Sequence, residues 1–326
     1  MVISIGLVAL GLVLLVAGGE LLLRGAVGLA TLAKVTPAVI GLTVVAAGTS
    51  VPELAVSMIA AYQGSEAVAV GNVVGSNIFN ITFILGLSAL IRPLAITGDT
   101  IRLEYPVLAG VTLLYLGLCN DGSIGRTDGM IFLGAYGAFT AYLVILVRRR
   151  MNASEKAEMK AEVEELKPDV APRVGGWVSL VLVAAGVGLL VAGAQATVTG
   201  AIELGRLWGL SERVIGLTIV AGGTGLPEVV TSLVSSIRGR DDVAIGNVIG
   251  SSLFNILGVL GLGGLIRPVS VPPEIIHGDN LWMLGVTLLL FPLIFTGRRI
   301  ARWEGVALLA AYGLYIAVLL SRAGST

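Results

Sequence analysis

"VVAAGTSVPELAVS", Val44 to Ser57, reads as the middle of a membrane helix, yet it carries a threonine, a serine, a proline and a glutamate. "IVAGGTGLPEVVTS", Ile219 to Ser232, repeats the pattern 175 residues later. Pro52 has no N–H and its ring collides with the carbonyl of Gly48, so the helix is expected to break or kink there, freeing backbone carbonyls to face something polar. Glu53 is costly at such a depth as a bare charge, and residues of this kind line a polar pathway or pair with a partner. Pro227 and Glu228 set the same terms in the second copy.

Composition fixes the surroundings of these helices. Hydrophobic residues make up 56% of the 326-residue chain and charged residues 13%, where a soluble domain carries about a quarter charged residues. The apolar stretches are long enough for the roughly 20 residues that a helix needs to cross a bilayer, so the chain reads as an all-α polytopic membrane protein and not a β-barrel. Segment 2–23 has no basic region before it and is expected to stay as a first span. Cys119 and His277 stand alone as cysteine and histidine. An internal disulfide, a cysteine-rich metal site and a histidine cluster are thereby excluded, and any metal chemistry must be oxygen chemistry.

Ten candidate spans follow from the pattern, at about 2–23, 37–62, 67–91, 103–119, 128–147, 176–197, 212–236, 242–266, 280–297 and 303–320. Starting from an external N-terminus, sixteen Lys and Arg fall on the cytoplasmic side and five outside. That bias sets the orientation, with both termini external and the central loop cytoplasmic. The loop, within 148–175, is the one hydrophilic connection of any size and suits a short solvated linker.

The repeat is longer than the opening stretch. "IGLTVVAAGTSVPELAVSMIAAYQGSEAVAVGNVVGSNIFNI" from Ile40 aligns without a gap on "IGLTIVAGGTGLPEVVTSLVSSIRGRDDVAIGNVIGSSLFNI" from Ile215. The chain therefore divides into a five-helix half over 1–147, a linker over 148–175 and a second five-helix half over 176–326. An odd number of spans makes the second half enter from the opposite side, so the halves are expected to be inverted repeats, an architecture of alternating-access transporters.

Inversion brings the two breaks together near the midplane, where no basic residue is available to neutralise Glu53 and Glu228. The missing partner is then a cation from solution. Ser76 and Asn80 lie four apart on one helical face, as do Ser251 and Asn255. Two carboxylates, the hydroxyls of Thr49, Ser50 and Thr224, two carboxamides and loose carbonyls are hard oxygen ligands, suited to calcium or sodium and not to zinc or copper.

"GTSVPE" with "GNVVGSNIFN", then "GTGLPE" with "GNVIGSSLFN", resemble the α-repeats of the calcium/cation antiporter superfamily, most of all its prokaryotic sodium/calcium exchanger branch. The resemblance covers essentially the whole chain. It implies adjoining, competing sites for one calcium or several sodium ions, exposed to alternate sides as a helix bundle slides. By motif position it assigns ligands to Thr49, Ser50, Glu53, Ser76, Asn80, Thr224, Glu228 and Ser251, with carbonyls from Ala46 and Ala221. Gly225 stands where the exchanger pattern has a serine, and Asn255 stands where it often has an aspartate.

Other polar residues have structural readings. Thr43, Ser57, Thr218 and Ser232 are expected to bond within or between helices. Asn72 and Asn247 are expected to act as interhelical glue, and Glu20 to be interfacial. The expected function is calcium-for-sodium antiport across the cytoplasmic membrane, not enzymatic. Proton-coupled cation antiport is the alternative, since two buried glutamates could carry protons. No cofactor is expected beyond the transported ions, no nucleic acid is a partner, and a monomer is expected to suffice. An intramembrane hydrolase lacks a nucleophile and base, and a channel would differ in passing ions without a countergradient.

Overall fold

The computed structural model describes residues 1–33, 37–62, 66–150, 176–208 and 221–324. Their long apolar runs are helical because no water reaches the hydrocarbon, and a helix satisfies its own backbone. The helices are α1 (Val2–Ala33), α2 (Gly41–Thr49), α3 (Val51–Tyr62), α4 (Glu66–Ile91), α5 (Thr100–Asp121) and α6 (Arg126–Arg150). The second set is α7 (Gly176–Leu207), α8 (Ala221–Thr224), α9 (Leu226–Ile237), α10 (Asp241–Ile266), α11 (Ile275–Phe295) and α12 (Arg302–Gly324). Helices α9 and α10 repeat α3 and α4 at the sequence offset of 175. Among the described residues seven helices are long and apolar enough to cross a membrane, or eight when the bent pair α2–α3 counts as one. Segment 209–220, where the expected seventh span begins, and 151–175, most of the expected linker, lie outside the described residues.

Helices α1 and α7 each run 32 residues, about 48 Å at 1.5 Å per residue, and so extend past the ends expected at 23 and 197. In α1 the polar turn at Glu20 does not stop the helix because its charge is matched. Arg24 bonds Glu20 at 2.9 Å one turn on, and Arg238 reaches the same carboxylate at 3.2 Å. The two helices pack antiparallel, backbone against backbone. Gly11, Gly18 and Gly25 recur every seven residues on one side, and Gly186, Gly193 and Gly200 on the other. A Cβ on Gly186 would lie 2.6 Å from the Leu22 nitrogen, and one on Gly18 would lie 2.9 Å from the Gly186 carbonyl. Small residues at such a crossing let helices gain packing contact where lipid offers no hydrophobic drive.

The pair has its own apolar cluster, with Leu15, Leu22, Val45, Leu190 and Ala194. A larger core gathers around α4 and α10, including Val70, Val74, Ile78, Val248, Ile249 and Ile256. These central helices are the most buried, at 72% and 78% of the spanning window against 28% for α1 and α7. Each contains a widened π-helical turn, at Asn80–Ile84 and Phe254–Leu260.

Four short strands tie the halves together. Strand β1 (Leu94–Ala95) pairs antiparallel with β4 (Arg299–Ile300), and β2 (Ser123–Ile124) with β3 (Val269–Ser270). Gly122 and Gly297, again 175 apart, precede β2 and β4 with φ of 86° and 73°, a left-handed conformation that glycine adopts without steric cost. The first residues of α4 and α10 anchor the strands: Glu66 accepts the Ser270 N–H at 2.8 Å, and Asp241 accepts the Ala95 N–H at 3.0 Å. Cys119 is buried beside Asn280, whose amide bonds its sulfur at 3.4 Å and accepts from the Tyr115 hydroxyl at 3.1 Å.

Candidate ion site

The expected break is present. Helices α2 and α3 meet at 52°, with Ser50 between them at φ −82°, ψ 12°. Pro52 falls in the first turn of α3, where its missing N–H has no intrahelical partner to lose. Gly225 holds the equivalent position at φ −81°, ψ 2°, and Pro227 opens α9 in the same way. Any residue could adopt that backbone, so glycine is required here for space. A Cβ on Gly225 would lie 2.8 Å from Cε1 and 3.0 Å from Cδ1 of Phe79.

Glu53 and Glu228 are each the third residue of a helix, where the positive end of the helix dipole favours a carboxylate. They lie within electrostatic reach of each other and are 2% and 1% exposed. The halves are cross-bonded through them. Ser50 donates to Glu228 at 2.7 Å, with the Thr49 and Ser251 hydroxyls beside the same carboxylate, and Thr224 bonds Glu53. One oxygen of each carboxylate, Oε2, is buried without a hydrogen-bond partner, and so is Asn255 Oδ1. An unpaired buried charge costs several kcal/mol, and the sequence places no Lys, Arg or His between Pro37 and Ile91 or between Ala221 and Ile237. A cation bound among these oxygens removes that cost. Among the described residues no three His, Cys, Asp or Glu side chains converge, so the donor set is two carboxylates with neutral oxygens. Its two negative charges match one divalent or two monovalent ions.

The remaining sequence candidates surround this pair. Ala46, fully buried, presents a carbonyl that accepts the Thr49 hydroxyl at 3.2 Å and the Ser251 hydroxyl at 3.4 Å. Ser76 and Asn80 are buried one turn apart on α4, and Ser251 and Asn255 on α10. Ala221 is the first residue of α8, directly after the undescribed segment. The structural readings fit as well. Thr43 bonds the Val39 carbonyl at 2.6 Å and Ser57 the Ala69 carbonyl at 3.3 Å, whereas Thr218 lies outside the described residues.

Three asparagines do more than the sequence suggested. Asn72 donates to the Glu53 carbonyl at 3.2 Å and to Ser57 at 2.9 Å. Asn247 donates to the Glu228 carbonyl at 3.5 Å and to Ser232 at 3.0 Å, and accepts from Thr49 at 3.2 Å. Each is interhelical, and each grips the backbone of a site glutamate. Asn77, one residue after Ser76, bonds across to the second half through the Ser252 carbonyl and Asn255, both at 3.2 Å. Its only signal in the sequence was a polar residue inside "GSNIFN".

The family model described as sodium/calcium exchanger protein matches residues 3–145 and again 178–321. The putative antiporter CaxA of Alkalimonas amylolytica is 40% identical over 98% of this chain and 100% of its own. The sodium/calcium exchanger MaX1 of Methanosarcina acetivorans is 32% identical over 95% of this chain and 96% of its own. Among solved structures, the sodium-calcium exchanger NCX_Mj in a crystal soaked with zero Na⁺ and Ca²⁺ superposes with a TM-score of 0.82 at 30% identity, covering 98% and 99% of the two chains.

Proposed function

The chain belongs to the sodium/calcium exchanger family of membrane transport proteins, not to an enzyme family, and from that premise we propose that it exchanges calcium for sodium across the cytoplasmic membrane by alternating access. The observation that carries this reading is the cross-bonded pair Glu53 and Glu228, each with a buried oxygen lacking a partner. Calcium and sodium are the cargo, and no resident cofactor takes part. The ligand set is Ala46, Thr49, Ser50, Glu53, Ser76, Asn80, Ala221, Thr224, Glu228, Ser251 and Asn255.

The architecture proposed with it has ten spans in two inverted five-helix repeats, 1–147 and 176–326, joined by a cytoplasmic linker over 148–175. Both termini are external, and a monomer suffices. The equivalent helices α1 and α7 pack antiparallel, and the family model matches in two copies at nearly the repeat offset. The first observation favours inversion, and the second favours an internal repeat. A second reading, proton-coupled cation antiport, draws on Gly225, where Phe79 fills the space a serine hydroxyl would need. One neutral sodium ligand is thereby lost while both proton-accepting carboxylates stay.

The test is initial calcium uptake into proteoliposomes. An outward sodium gradient is expected to drive uptake, and an outward proton gradient to drive little. Uptake driven by protons alone would replace the first reading with the second, and uptake needing no gradient would indicate a channel.

A further inference from the structure

The two carboxamides of the site, Asn80 and Asn255, occupy equivalent positions but are held differently. Asn77 is 1% exposed, and its amide nitrogen faces the Ser252 carbonyl at 3.2 Å. A backbone carbonyl only accepts, so the orientation of Asn77 is fixed: nitrogen to Ser252, oxygen to the other side. That oxygen receives the Asn255 amide nitrogen at 3.2 Å. Asn255 must then turn its own oxygen away from Asn77, and Oδ1 is the buried atom without a partner. The counterpart of Asn77 in the second half is Ser252. A hydroxyl both donates and accepts and imposes no direction, and here it bonds nothing. Asn80, the amide it would brace, has an unpartnered nitrogen.

We propose that Asn77 is a positioning residue for ion binding: it transmits the direction of the Ser252 carbonyl to Asn255 and so presents the Asn255 oxygen, and no N–H, to the cation. The relay gives the second half a directed neutral ligand at a position where a freely rotating amide would spend part of its time offering a donor that repels the ion. Nothing equivalent acts on Asn80. The assignment rests on the cation reading of the site and adds to it a residue outside the ligand set.

The experiment is a double-mutant cycle on the purified full chain, with calcium as the probe, reading equilibrium binding and maximal uptake rate. Asn77→Ala is expected to weaken calcium binding about tenfold, as loss of a ligand-orienting partner does, while the maximal rate in proteoliposomes at saturating calcium is retained. Asn255→Ala is expected to weaken binding by a similar factor, and the double variant by no more than Asn255→Ala alone, since the relay then has no ligand to orient. Should Asn77→Ala fail to fold, Asn77→Ser retains a hydroxyl as at Ser252 and is expected to show the same non-additivity at a smaller shift. Effects that multiply in the double variant, or an unchanged affinity in Asn77→Ala, would overturn the positioning role while the parent still binds calcium. A parent chain that binds no calcium would overturn the cation reading and this inference together.

Discussion

At the bend of the first broken helix stands Ser50, whose hydroxyl donates to Glu228 at 2.7 Å. At the bend of the second stands Gly225, with the Phe79 ring against the place where a side chain would begin. Around this difference the halves agree closely. Each has a glutamate in the first turn after the bend, a threonine beside the other half's glutamate, and an asparagine gripping the carbonyl of its own. Charge and its placement are duplicated, whereas the neutral oxygens are not. Total charge decides which valence a buried site accepts. The neutral ligands then adjust the balance between ions of that charge, and they can differ between halves without leaving a charge unmatched.

The largest expected effect tests the shared part. Glu53→Gln and Glu228→Gln should each lower initial calcium uptake by more than about a hundredfold, since truncating one partner of a buried charge interaction costs about 3 kcal/mol or more. Both variants should melt at or above the parent temperature without calcium, because one unpaired buried charge has gone, and both should lose the rise in melting temperature that calcium gives a binding-competent chain. If one variant transports normally and the other does not, the charges are not equivalent.

The next effect tests the difference. Restoring the symmetric residue with Gly225→Ser should harm the site, because the new Cβ meets the Phe79 ring at 2.8 Å and overpacking costs about 1–3 kcal/mol. Sodium-driven uptake should fall about tenfold. Gly225→Ser combined with Phe79→Leu should recover most of it, since the ring is the obstacle. A single Gly225→Ser variant with raised sodium-driven uptake would show that Phe79 yields and that the asymmetry has another origin.

The shared features were legible in the sequence, and so was Gly225 in place of a serine, but the side chains that act on the differing positions were not. Proline breaks a helix by its own covalent structure, and a glutamate with no basic residue nearby is costly wherever the membrane holds it, so the bends, the two carboxylates and the repeat could be read locally. The roles of Asn77 and Phe79 depend on partners about 175 and 145 residues away. The length of α1 was hidden for a similar reason. Glu20 looked like a polar end to the span, and its second partner, Arg238, lies in the other half.

The smallest expected effect concerns the strand anchors, where equivalent carboxylates sit in unlike surroundings. Asp241 is 8% exposed and bonds the Ala95 N–H, while Glu66 is only partly buried and bonds the Ser270 N–H. Removing the acceptor at Asp241 leaves water a poor route to replace it, so Asp241→Ala should cost about 1–2 kcal/mol of stability. Water can take over from Glu66, and Glu66→Ala should cost no more than about 0.5 kcal/mol, as for an exposed charged contact. Melting curves in detergent should therefore order the chains as parent, Glu66→Ala, Asp241→Ala, with the first two close together. Asp241 and Glu66 are the first residues of helices that carry Asn255 and Asn80 well over two turns further on, so neither change should alter calcium affinity. Equal losses of stability would mean that the β1–β4 and β2–β3 ties are as alike in energy as they are in register, and that the asymmetry of this molecule is confined to its ion site.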